Sequence, residues 1–174
     1  MPKLIRSNEQ KAFVDVRLLF VERCEALKAF CVQSNVYFLG DTAKEIRKRL
    51  DDHLREAEYD ASLTLLAAVE AALRLDFDYR QRRRLKDPRS KEVRRIAKLS
   101  RGHFNFRISL VDLVSLLAIG DSVPNRIRNS LKICFKYRHW LAHGRYWRLN
   151  LGRQKPTFTE IYQLAQTIEN VLLR

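Results

Sequence analysis

The chain has little with which to turn a β-sheet: five glycines and four prolines in 174 residues. Hairpins and meanders favour those residues at their turns, so little room is left for β turns and an all-α bundle is expected. Cysteines are three, Cys24, Cys31 and Cys134, an odd number with no Cys-x-x-Cys pair. That argues against a disulfide framework or a cysteine zinc site and for small buried hydrophobes in a reducing compartment. No apolar run approaches the roughly 20 residues that span a bilayer, and the start Met1-Pro-Lys-Leu-Ile-Arg has no secretory core. A cytoplasmic protein with no membrane partner is expected. The last lack is local. Between Asp121 and Glu160 there is no carboxylate at all.

That acid-free stretch is filled with cations: Arg126, Arg128, Lys132, Lys136, Arg138, Arg145, Arg148, Arg153 and Lys155. The whole chain carries 34 Lys and Arg against 20 Asp and Glu, a net charge of +14. A polyanion is the partner such a balance selects, nucleic acid first and an anionic membrane surface second. Among the cations Lys136, Arg145 and Arg148 stand the rings of Tyr137, Trp140, Tyr146 and Trp147. Cations for phosphates and flat rings for unpaired bases are what single-stranded RNA asks of a protein.

Apolar periodicity places the helices. Ser7-x-x-Gln10 reads as a capping box opening a helix to about Gln33, with Phe13, Val16, Phe20, Leu27 and Phe30 inward. Asn35 to Gly40 connects it to a second helix at Thr42-x-x-Glu45, charged at first and apolar from Tyr59 through Leu63, Leu66, Leu73 and Phe77. The basic block that follows, with Arg82, Arg83 and Arg84, is broken at Asp87-Pro88 and resumes to Arg101. It reads equally as a solvated face and as a guide for RNA phosphates. Ser109-x-x-Asp112 caps a short helix over Leu110–Ile119; another follows Pro124, and a last one starts at Thr157-x-x-Glu160 with Ile161, Leu164, Ile168, Val171 and Leu172 inward. The length suits one domain, with a basic helical insertion at about 80–104. Asn35–Leu39 and Trp147–Leu151 are the only β-like fragments.

Two residues break their stripes. On the helix carrying Ile127, Leu131, Cys134, Phe135, Leu141 and Ala142, Arg138 stands where the period calls for an apolar side chain. On the earlier helix, Glu70 interrupts Leu-Thr-Leu-Leu-Ala-Ala-Val-Glu-Ala-Ala-Leu. An inward guanidinium needs an anion, so Glu70 is expected to face Arg138 or His143; the alternative is a glutamate at the stripe's edge reaching water. His143 precedes Gly144, the expected helix terminator. Carbonyls exposed at that end favour a cation, which suits an imidazole to proton transfer near neutral pH. His139 and His143, four apart, share a face, whereas Arg138 and His143 lie about 140° apart at 3.6 residues per turn.

Arg138-His-Trp-Leu-Ala-His143, near a helix end in a small all-α chain, resembles the Arg-x(4 to 6)-His signature of the HEPN superfamily (higher eukaryotes and prokaryotes nucleotide-binding domains). The family's usual polar residue after the arginine is here His139, and the tyrosine that some members carry two positions after the histidine is here Arg145. The resemblance implies a helical bundle that dimerises so that two motifs line one cleft. It also implies a metal-independent endoribonuclease without cofactors, recurrent among toxins and anti-phage defence, with an antitoxin or sensor protein as a further partner. Arg138 would be the cation and His143 the base or acid, with His139 orienting and Glu70 holding the arginine. Two other readings stay open: a silent HEPN-type module that binds RNA or a nucleotide or serves an antitoxin, and a basic helical nucleic-acid-binding protein in which Arg138 makes only a structural ion pair. A zinc pair of His139 and His143 lacks the glutamate of His-Glu-x-x-His, Trp140 standing there.

Overall fold

The computed structural model describes residues 10–83, 85–99, 108–120, 123–152 and 155–172. Its axis is a helix of 40 residues, α2 (Ala43–Arg82), about 60 Å long at 1.5 Å per residue. Thr42 opens it with a reciprocal capping box to Glu45, as the sequence predicts. Every other helix packs against it: α1 (Phe13–Phe30), α3 (Pro88–Leu99), α4 (Leu110–Leu116), α5 (Asn125–Ala142) and α6 (Phe158–Leu172). Among the described residues there is no strand; of the two β-like fragments, Val36–Phe38 is a 3-10 turn and Trp147–Leu151 an irregular return.

One core joins all six helices. Leu65, Leu66, Val69 and Leu73 of α2 meet Leu131 of α5 and Ile161 and Ile168 of α6, all fully buried or nearly so. Such burial contributes about 1.5 to 3 kcal/mol for each large side chain. Ala57, Ala61 and Ser62 are buried on the same helix, where small side chains let neighbouring helices approach. The stripe on α2 is therefore broader than predicted. Tyr59, Leu63 and Phe77 are only half-buried, because helices close on α2 from several sides and Leu65 and Val69 take the centre.

Helix α1 begins later than the capping box suggests. Gln10 to Ala12 are not helical, Ala12 is the N-cap without a side-chain bond, and Ser7 lies outside the described residues. Phe13 and Val16 are buried and Phe20 packs on Phe158 with ring centroids 4.4 Å apart, yet Phe30 is exposed. The core ends before it; Cys31, Phe38 and Ile46 form a small separate cluster beneath the connector. The other boundaries follow their signals: Ser109 caps α4 on Asp112, Thr157 and Glu160 cap α6, and Ile161, Leu164 and Ile168 are buried while Val171 and Leu172 are partly so. The short helix α4 stops at Leu116 and continues as turns to Gly120.

The basic block divides. Arg80 and Arg89 turn inward to a shared acid, Arg80 Nε and Arg89 Nη2 each 2.8 Å from Asp76, and Arg80 also reaches Asp87 at 3.0 Å. Asp87 caps α3, accepting the Ser90 N–H, with Pro88 at the first helical position. These arginines staple α2 to α3 and are not available to phosphates. Arg82 and Arg83 stay exposed. No described helix is long and apolar enough to cross a membrane.

Candidate functional site

The last turn of α5 sets the site. Gly144 adopts φ +77°, a left-handed conformation that a glycine takes at little cost. Around it the Arg145 N–H bonds to the Trp140 carbonyl at 3.1 Å and the Gly144 N–H to Leu141 at 3.4 Å, the double closure of a Schellman motif. The chain then reverses, and the Trp140 indole N–H donates to the Trp147 carbonyl at 2.8 Å. That bond fixes Trp147 beside the helix end. Its ring lies 5.7 Å from His139 and 6.3 Å from His143, and the two imidazoles are 4.2 Å apart between centroids. Both histidines are exposed.

Arg138 looks the other way. Its Nη2 lies 3.1 Å from Glu70 Oε2, the pairing expected from the two broken stripes. Glu70 is shared: its Oε1 also accepts Arg74, from Nε at 2.8 Å and Nη2 at 2.7 Å, and Arg74 in turn donates to the Ile108 carbonyl. Two guanidinium groups on one carboxylate leave a net positive charge. The Nε of Arg138 is buried and makes no hydrogen bond. The arginine thus belongs to the α2 side and the histidines to the outward side.

The predicted aromatic platform is half internal. Tyr137 and Trp140 are buried, stacked on each other at 5.9 Å, with Tyr59 edge-on to Trp140 at 6.2 Å. Burial pushes the Tyr137 hydroxyl well above the ordinary tyrosine range. Lys155 sits 4.3 Å over the Trp140 ring, while Arg145 lies 5.0 Å over Tyr59 and pairs with Glu56 at 2.8 Å. Tyr137 and Trp140 are therefore not free to meet bases and brace the helix end, while Arg145 stays exposed beside them. Tyr146, Trp147, Lys136 and Arg148 remain reachable.

Of these, Lys136, Trp147 and Arg148 border a cleft of about 590 Å³ between α4, α5 and the return segment 147–150. Its α4 wall, which includes Leu110 and Val114, is not legible in the sequence, since nothing in the spacing of α4 tells which helix it meets. Arg74 was legible in hindsight, standing one helical turn after Glu70. The basic block does not converge here. Arg82 pairs with Asp78, Arg83 lies over Tyr79, and Arg82 is about 18 Å beyond Glu70 along α2 with Arg83 capping the helix after it; Arg84 lies outside the described residues. Among the described residues no group of three or more His, Cys, Asp or Glu side chains converges as a metal site would require. No family model, no curated protein and no solved structure matches this chain.

Proposed function

We propose that the chain is a HEPN-like, metal-independent endoribonuclease, acting as a homodimer in a toxin or anti-phage role. The observation that carries this reading is the histidine pair, two exposed imidazoles 4.2 Å apart beside an acid-free basic cleft. One neutral imidazole takes the proton from a ribose 2′-hydroxyl, O2′ forms a bond to phosphorus, and the P–O5′ bond breaks with the proton for O5′ coming from the other, protonated imidazole. The products are a 2′,3′-cyclic phosphate and a 5′-hydroxyl. Charge on the crowded phosphorane needs a cation. Arg138 supplies it in the family's scheme, and Glu70 would hold that guanidinium by one edge while a two-fold partner brings the second motif across.

A second reading has its own observation. Arg138 is engaged by Glu70, as it would be in a basic RNA-binding protein, or a silent module serving an antitoxin, where the arginine is only structural. Variants separate the two. Arg138→Ala, His139→Ala and His143→Ala should each abolish cleavage of total RNA while leaving salt-sensitive RNA binding in place. If wild type binds RNA but never cuts it, and Arg138→Ala only lowers the melting temperature, the second reading replaces the first.

A further inference from the structure

The walls of the cleft divide by chemistry. Its floor is apolar, made by Leu110 and Val114 of α4 and Phe135 of α5, with Trp147 standing at one side. Its cations are Lys132, Lys136 and Arg148, and among the described residues none of the three has a carboxylate partner. An apolar ligand would desolvate these charges without compensation. A bare anion would leave the floor and the indole wet. The occupant that answers both is a flat ring joined through a few atoms to a phosphate.

We propose, on the ribonuclease reading above, that this cleft takes one unstacked nucleotide of the RNA adjoining the bond that is cut. The base lies on the Leu110, Val114 and Phe135 floor against Trp147, and Lys132, Lys136 and Arg148 hold its phosphate. His139 also lines the cleft, so base and scissile phosphate are neighbours. A base inside a duplex is already stacked on both faces and cannot enter, which makes the cleft select single strands. Asn150 lines it too, and its Oδ1 accepts the Gly152 N–H at 3.2 Å. The carboxamide amino group is left as the donor for an acceptor on the base edge. Sequence preference is set here, at one position.

Val111 gives access to a test, since it lines the cleft yet is 61% exposed, and a larger side chain there narrows the mouth without entering the core. Calorimetric titration of the four nucleoside 3′-monophosphates and of inorganic phosphate is the direct experiment. At least one nucleotide should bind about tenfold tighter than phosphate; Val111→Phe should erase that difference, and Lys132→Ala should weaken nucleotide and phosphate alike. In cleavage mapping Val111→Phe should alter which sites are cut. If no nucleotide binds more tightly than phosphate and Val111→Phe changes neither binding nor cut sites, the cleft is only a cationic patch and the proposal falls. The outcome is separable from the fate of the ribonuclease reading. RNA cutting without nucleotide preference sinks the cleft alone, and nucleotide binding without cutting sinks the ribonuclease alone.

Discussion

Glu70 on α2 and Arg138 on α5 meet across 3.1 Å, each a charged residue that interrupts a run of apolar ones. Glu70 also holds Arg74, so a single carboxylate restrains two guanidinium groups. Glu70→Gln should therefore destabilise the fold. Arg138 is 31% exposed at its side chain and can turn to water, which keeps the cost below that of stripping a fully buried charge. About 1 to 3 kcal/mol is expected, a drop of about 2 to 4 °C in Tm for each kcal/mol in a domain this size. An unmoved melting temperature would contradict the pairing's structural role.

Trp140 and Trp147 are coupled by the indole N–H bond that positions the return segment. Trp140→Phe keeps a ring in the core and removes that donor. It should cost about 1 kcal/mol and release Trp147 from the imidazoles, seen as faster amide exchange over 146–150 and weaker RNA cleavage at unchanged helix content. Unaltered exchange in that segment would show that something else holds it.

The α2–α3 staple should fail in acid. Burial pushes the Asp87 carboxyl up, but hydrogen bonds from the Ser90 side chain and backbone and the charge of Arg80 outweigh it, and its pKa ends below the usual aspartate range. A carboxylate with a depressed folded-state pKa stabilises above its unfolded value, about 3.9, and the contribution is lost as pH falls through the folded one. Stability measured by urea from pH 6 down to pH 3 should fall in wild type and fall less in Asp87→Asn. Parallel curves would remove Asp87 from the account.

The helices and most of their ends were legible because caps and apolar periods are local. Thr42, Ser109 and Thr157 each mark an observed start. The Glu70–Arg138 pair was legible for a related reason, since a charge on an apolar stripe demands a partner and each helix offered one. What was not legible is tertiary. Tyr137 and Trp140 look like stacking platforms in sequence, yet α2 and Lys155 cover them. Arg80 and Arg89 look solvated, yet Asp76 draws them inward. The wall that Leu110 and Val114 give the cleft depends on which helix α4 meets, and no period in the chain encodes that.

The central claim is that the paired imidazoles of His139 and His143 cut RNA without a metal. Wild-type protein and His143→Ala should be incubated with a short end-labelled RNA in excess EDTA, and the product ends identified by mass and by phosphatase sensitivity. Fragments from wild type alone, ending in 2′,3′-cyclic phosphate and 5′-hydroxyl, are the predicted result. Intact RNA from both proteins, or equal cutting by both, would contradict it.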